Sequence, residues 1–279
     1  MRILVVDKEP MSAQFIKSKL ETLGHMVQGE TSKNNAVRLC KEGQYDIVFL
    51  DPSPLTSPRT LILDIRRSAA YYPYTILMTE TNMNRAEGLK FGVNDVFHKP
   101  LNPALLDEKV QAAKGFLELY KHIGDDTEDF PSAGGVIAKS AYNQLFRSAI
   151  DRADRYGEET FMLMISLSSY NEIAANEGPY AADFAVAKLS QYLVQLRRQS
   201  DIIGQTGANE YSLLLQRPIY PNEPSEAAGR FTEALVNYEG FKSLDTRNIE
   251  ITVKLVALPS GEVPVNNVFN PLDHIGLGK

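Results

Sequence analysis

A single cysteine, Cys40, stands in the 279 residues, so the chain can hold no internal disulfide. Cys40 shares a helix-like stretch with Val37, which points to packing as its role. Histidines are few, four in all, and none shares metal-ligand spacing with another or with Cys40. No apolar run is long enough to cross a membrane. The first residues run directly into a strand-like segment with no basic-then-apolar leader, so a cytoplasmic protein without membrane insertion is expected. Positive charge is also in short supply. The 29 Lys and Arg against 35 Asp and Glu give a formal charge of −6, which argues against a nucleic-acid partner. Internal repeats and low-complexity tracts are absent.

What is present suffices for two cores. The length favours two domains, and 43% of the residues are hydrophobic. Residues 1–122 alternate strands and helices. Apolar runs at 2–6, 46–50, 75–78 and 96–98 read as buried parallel strands. Helical periods cover 12–22, 61–67, 85–91 and a long segment from 102 or 103 to 122. This order predicts an α/β, doubly wound parallel sheet. Residues 123–135, rich in Asp, Gly, Ser and Pro, read as a linker. Residues 136–279 carry helices at 142–156, 181–197 and 226–238, strands at 160–167 and 249–258, and a hairpin around Gly207. That mixture predicts an α+β domain. The tail 259–279, with Pro264 and Pro271, shows no helical period.

The first domain carries Leu4-Val5-Val6-Asp7, Phe49-Leu50-Asp51, Thr79, and Gly88-Leu89-Lys90-Phe91-Gly92-Val93-Asn94-Asp95 leading to Lys99-Pro100. In these residues it resembles a response-regulator receiver, a flavodoxin-like fold. The resemblance implies that Asp51 is the phosphoacceptor and that Asp7, Lys8, Thr79 and Lys99 surround it, all at carboxyl ends of strands. It departs from the family where receivers place a second acid that helps hold Mg²⁺. Lys8 stands there, followed by Glu9. An ammonium repels a hard dication, so Mg²⁺ binding and phosphorylation are expected to be weak or lost. The loop Asp51-Pro52-Ser53-Pro54-Leu55 and Val96, in place of a switch aromatic, are further departures. Two readings stay open. Asp51 is a leftover of a docking module, or Lys8 replaces the metal charge by pairing with Asp51 or Asp7, a role that Lys99 could fill alone. Ordinary phosphorylation from a histidine kinase is the runner-up to weak or absent phosphorylation.

The second domain holds Arg198-Gln199-Ser200-Asp201, five further residues, then Gly207-Ala208-Asn209-Glu210-Tyr211. This resembles the centre of a GGDEF domain, the nucleotidyl-cyclase-like fold of diguanylate cyclases, over about residues 136–258. The resemblance implies that one metal ligand belongs at Ser166, the first of two acids replaced by Ser166 and Ser168, and a second at Asn209, so the carboxylates are missing. Asn171 and Ala174 replace a lysine and a guanine-reading asparagine, Ala208 replaces a glycine, and the family's opening motif is absent. Asp183 and Glu210 match the family in type, with a solvated or capping carboxylate as the plainer role. The family's inhibitory Arg-x-x-Asp is intact as Arg198 and Asp201, and Arg230 falls where a secondary inhibitory arginine would lie. A guanidinium can donate two parallel bonds to guanine or phosphate, and a carboxylate can accept from guanine N–H groups. The plainer alternative is an arginine at a helix end, an aspartate in a turn and Arg230 on a solvated face.

The expectation is a protein that binds cyclic di-GMP, requires no cofactor, does not synthesise the dinucleotide, and acts on a protein partner. The resemblance leaves room for a homodimer, since receivers often pair through their last helices. The alternatives are a nucleotide-independent scaffold and a residual cyclase under receiver control.

Overall fold

The fold was analysed in a computed structural model, which describes residues 1–55, 57–243 and 249–274. The chain forms two compact units. The first comprises Met1–Lys121 with Ala149–Glu159 and Pro259–Gly261, and the second comprises His122–Ser148, Thr160–Leu258 and Glu262–Lys279.

The first unit runs β1 (Arg2–Val6), α1 (Pro10–Leu20), β2 (Met26–Glu30), α2 (Lys33–Glu42), β3 (Ile47–Leu50), α3 (Arg59–Ser68), β4 (Tyr74–Thr79), α4 (Arg85–Leu89), β5 (Asp95–His98) and α5 (Pro103–Gly124). Its five strands are all parallel, in the order β2-β1-β3-β4-β5. Ile3 to Val6 and Ile47 to Leu50 are fully buried. Helices cover both faces of such a sheet, so its strands are apolar throughout rather than alternating. Cys40 packs into this core, and burial pushes its thiol up to about 11. α4 is short but fully specified at its start. Asn84 Oδ1 accepts from Glu87 N at 2.9 Å, and Asn84 N donates to the Glu87 carboxylate at 2.9 Å, a reciprocal cap. Gly88 follows because Val96 packs over it, 2.4 Å from where a Cβ would lie. Gly92, at φ 89°, turns the chain back into β5. Asn94 Oδ1 then accepts from Thr75 N at 2.8 Å, and Asp95 pairs with Lys109 at 2.7 Å. These contacts fix β5 beside β4. β2 and the full extent of α2 are additions to the sequence-based elements.

The second unit contains α6 (Lys139–Tyr156) in part, then β6 (Thr160–Leu167), α7 (Tyr170–Glu177), α8 (Pro179–Leu196), β7 (Ile203–Gly207), β8 (Glu210–Gln216), α9 (Glu223–Val236), β9 (Ile251–Leu258), β10 (Val265–Phe269) and α10 (Pro271–His274). The sheet order is β10-β9-β6-β8-β7 and every named pairing is antiparallel. Ala182, Ala185, Leu189 and Leu193 of α8 pack with Leu163, Ile165, Leu213 and Phe231 in one buried cluster. An antiparallel sheet with helices laid on it is the expected α+β class. The tail departs from its sequence reading. Val265–Phe269 adds an edge strand to β9, and Pro271–His274 forms one helical turn; residues 275–279 lie outside the described ones. Among the described residues no helix is long and apolar enough to cross a membrane.

Candidate functional site

Two places gather the residues singled out by sequence. The first lies at the carboxyl ends of the parallel strands. Asp7 follows β1 and Asp51 follows β3, so they flank the point where strand order reverses, the usual ligand position in such sheets. Backbone bonds extend the strands through both residues. Asp7 N donates to Glu30 O at 3.0 Å and Asp51 N to Val6 O at 2.8 Å. Lys99, after β5, is set by its own N–H donating to Thr79 O at 2.8 Å. Its ammonium stands 2.8 Å from Asp7 Oδ2 and also bonds Asp51 Oδ2. Burial pulls the Lys99 pKa down, but the bonds to Asp51 and Asp7 outweigh it and leave it above the ordinary lysine value. The remaining carboxylate oxygens accept backbone N–H groups. Glu9 N donates to Asp7 Oδ1 at 2.9 Å, and Ser53 N donates to Asp51 Oδ1 at 2.7 Å. The cleft above them has a volume of about 400 Å³ and is also lined by Lys8, Glu9, Glu80 and Thr81.

The structure brings Asp7, Asp51, Thr79 and Lys99 together around one cleft, and of the two lysines considered for the carboxylates it pairs Lys99 with them. Lys8 is exposed and pairs with neither Asp7 nor Asp51 among the described residues. Lys99 bridges both carboxylates instead, reaching from the end of the edge strand β5. The Thr79 hydroxyl bonds that of Thr81 at 2.8 Å and accepts from Thr81 N at 3.1 Å. One residue escaped the sequence reading altogether. Lys33, at the start of α2, donates through Nζ to Ser53 O on the loop after β3. No sequence spacing links it to the pocket.

The second place is the turn between α8 and β7. α8 ends at Leu196 and β7 begins at Ile203, so Arg198 and Asp201 lie within the turn rather than on the flanking elements. Arg198 N donates to Asp201 Oδ2 at 3.1 Å, and Asp201 N donates to Arg198 O at 3.0 Å. The two residues are thus locked in one loop of backbone. The Arg198 guanidinium turns away from Asp201 and donates to Glu223 Oε1 at 3.3 Å; its side chain is 59% exposed. Glu223 opens α9 and also accepts from Ile219 N at 2.6 Å. Arg230, exposed on α9, lies seven residues after Glu223, about two helical turns along nearly the same face.

The positions matched to catalytic residues are committed elsewhere. Asn209 Nδ2 donates to Leu167 O at 2.7 Å, and its carbonyl accepts from Leu167 N at 3.0 Å. Ser168 Oγ lies 2.5 Å from Thr252 Oγ1. Ser166 sits in the ladder opposite Glu210 and Thr252. Asp183 accepts from the Tyr170 hydroxyl at 2.8 Å. Glu210 accepts from Thr206 Oγ1 at 2.6 Å and from His122 Nε2 at 3.0 Å. The bond to Glu210 raises the His122 pKa, and burial opposes it. Among the described residues no group of three or more His, Cys, Asp or Glu could hold a metal ion. Neutral serine and asparagine side chains already bonded to protein do not fit a hard dication.

Comparison with known proteins supplies two likenesses. Residues 3–111 match the response regulator receiver domain. A chemotaxis protein CheY homolog of Campylobacter jejuni subsp. jejuni (strain 81-176) is 30% identical over 121 residues, covering 41% of this chain and 93% of that protein. A two-component response regulator from Clostridium difficile, known by crystal structure, is 26% identical with a TM-score of 0.37, over 41% of this chain and 95% of that one. A probable diguanylate cyclase, DgcC of Escherichia coli (strain K12), is 25% identical over 133 residues, 47% of this chain and 33% of that protein. The match to nearly the whole of a chemotaxis regulator, over a stretch that includes Asp7, Asp51 and Lys99, decides the family: through its N-terminal part this chain belongs to the response regulator receivers.

Proposed function

We propose that this receiver-containing signalling protein binds cyclic di-GMP at the turn of Arg198 and Asp201, does not synthesise it, and passes the signal on by contact with another protein. The observation that carries the reading is the construction of that turn. A bond of 3.1 Å from Arg198 N to the Asp201 carboxylate and a backbone bond of 3.0 Å back to Arg198 O hold the two residues together, with the guanidinium on the surface and bonded to Glu223. Asp201 Oδ2 is occupied by Arg198 N, whereas among the described residues Oδ1 meets only Ser200 Oγ, at 3.5 Å. That oxygen is placed to accept from guanine N1–H and its amino group. A freed Arg198 would donate to guanine O6 and N7 or to phosphate as a fork. Arg230, on nearly the same face of α9 as Glu223, would meet a second phosphate or the second copy of a stacked ligand pair. The 25% likeness to a probable diguanylate cyclase supports this reading of the second unit as a GGDEF-type domain.

Loss of synthesis follows from chemistry. Phosphoryl transfer from GTP needs metal charge on the triphosphate. Ser166, Ser168 and Asn209 offer no carboxylate, and the Asn209 amide is held by Leu167. The purified chain, incubated with GTP and Mg²⁺ or Mn²⁺ and then titrated with cyclic di-GMP by calorimetry, tests both halves. No product and measurable binding support the proposal. Product above a no-enzyme control, or no heat at about tens of micromolar ligand, contradicts the corresponding half. A nucleotide-independent scaffold is the second reading, favoured by the Arg198–Glu223 pair, which gives the arginine a partner within the chain.

A further inference from the structure

The receiver pocket carries a cation of its own. Lys33 Nζ donates to Ser53 O, and Ser53 N donates to Asp51 Oδ1 at 2.7 Å. The Lys33 ammonium therefore sits on the loop that frames Asp51. Burial lowers its pKa most; the charges of Asp51 and Asp7 raise it, and Lys8 lowers it. From the other side Lys99 bridges Asp7 Oδ2 and Asp51 Oδ2. Asp7 Oδ1 and Asp51 Oδ1 accept the N–H groups of Glu9 and Ser53. Both Asp51 oxygens, Asp7 Oδ1 and the Ser53 carbonyl thus have a hydrogen-bond partner, and Asp7 Oδ2 has the Lys99 ammonium 2.8 Å away as its counter-charge.

A hard dication collects about six oxygen ligands, with carboxylates and carbonyls foremost. The Ser53 carbonyl and both Asp51 oxygens are already bonded to Lys33, Ser53 N and Lys99, and the ammonium on that carbonyl stands where a dication would have to approach it. The pocket does not fit the divalent ion that the receiver family implies. We propose that Lys33 is the built-in replacement for that ion. It caps the Ser53 carbonyl while Lys99 bridges Asp7 and Asp51, and it ties the loop after β3 to the start of α2, so the pocket is held without metal. The inference rests on the receiver pocket alone and is independent of cyclic di-GMP binding.

A consequence separates Lys33 from Lys8. Lys8→Asp adds a carboxylate but leaves Lys33 in place, and it removes the charge that opposes the Lys33 ammonium. That change alone should not create a metal site. Even at the dielectric of water, an ammonium about 4 Å from a dication costs more than a decade of affinity.

The test is Mg²⁺ titration of the full chain, followed by backbone amide shifts near Asp51 and by calorimetry. The wild type, Lys8→Asp, Lys33→Met, Lys33→Arg and Lys8→Asp/Lys33→Met variants are compared. Wild type, Lys8→Asp and Lys33→Arg are expected to show no binding at millimolar Mg²⁺. Lys33→Met should bind, and the double variant should bind at least tenfold tighter than Lys8→Asp. Native amide spectra without metal establish that each variant is folded. Binding by Lys8→Asp as tight as by the double variant would overturn the proposal, as would binding by the wild type or Lys33→Arg, or a folded double variant that ignores Mg²⁺.

Discussion

Glu223→Gln should tighten cyclic di-GMP binding. In the resting protein Glu223 Oε1 holds the Arg198 guanidinium at 3.3 Å, and a ligand must displace it. The pair is open to water, with side chains 59% and 22% exposed. Pairs of this kind are worth about 0.2–1 kcal/mol. Removing the competing charge should therefore improve affinity by about 1.4- to fivefold. Glutamine keeps an oxygen to accept from Ile219 N, which Glu223 Oε2 now does at 2.6 Å, so the loop before α9 stays anchored. The change also removes an acid from the first turn of α9, costing about 0.3–1 kcal/mol of stability, so titrations belong well below the unfolding midpoint. Glu226→Gln is the control, because Glu226 accepts from the Tyr220 hydroxyl and not from Arg198. Calorimetry at fixed ionic strength reads the difference. Affinity that is unchanged or weaker in Glu223→Gln, with Glu226→Gln like wild type, would refute the idea that Glu223 competes for the ligand's arginine.

Three further outcomes follow from the same geometry. Gly204→Ala would place a Cβ 2.5–2.6 Å from Tyr142 side-chain atoms in a buried position, so it should lose about 1–3 kcal/mol in denaturant unfolding; an unchanged midpoint would contradict the packing. The His122–Glu210 bond raises the histidine pKa, so its contribution is fully present below the ordinary histidine value and fades as pH rises through the raised one. His122→Gln should then lower the melting temperature more at about pH 5.5 than at about pH 8.5, and an equal loss at both would count against the ion pair. Asn209→Asp alone should not produce cyclic di-GMP from GTP, because Ser166 and Ser168 still supply no carboxylate; product in a sensitive nucleotide assay would show that one carboxylate suffices for the metal site.

Much of the first unit was legible because its strands are buried on both faces. Ile3 to Val6 and Ile47 to Leu50 are unbroken apolar runs that end at the carboxylates. β2 escaped because it is an edge strand in which only Val27 is buried, with Gly29 in its middle, so it shows neither a run nor an alternation. β10 escaped for the same reason. Its interior residues are exposed, and Pro264 and Pro271 beside it read as breakers although neither interrupts its ladder. α7 buries only Ile173 and therefore has no apolar stripe to detect. At the sites, the strand-end cluster and the Arg198–Asp201 turn could be read from local spacing. Glu223 and Lys33 could not. Each reaches its partner from a different element, 25 residues away for Glu223 and 20 for Lys33, and only the fold makes them neighbours.

The most direct test of the account is a calorimetric titration of cyclic di-GMP into the wild type and into Arg198→Ala and Asp201→Ala variants, with GTP as the comparison ligand. A charge-assisted hydrogen bond is worth about 1.5–3 kcal/mol, so loss of Arg198 should weaken binding by roughly tenfold to a hundredfold or more. Asp201→Ala should also weaken it, and GTP should bind far less tightly than cyclic di-GMP. Binding that survives unchanged in the Arg198→Ala/Asp201→Ala double variant would place the ligand elsewhere. A wild type that takes up no cyclic di-GMP would leave the scaffold as the function of the second unit.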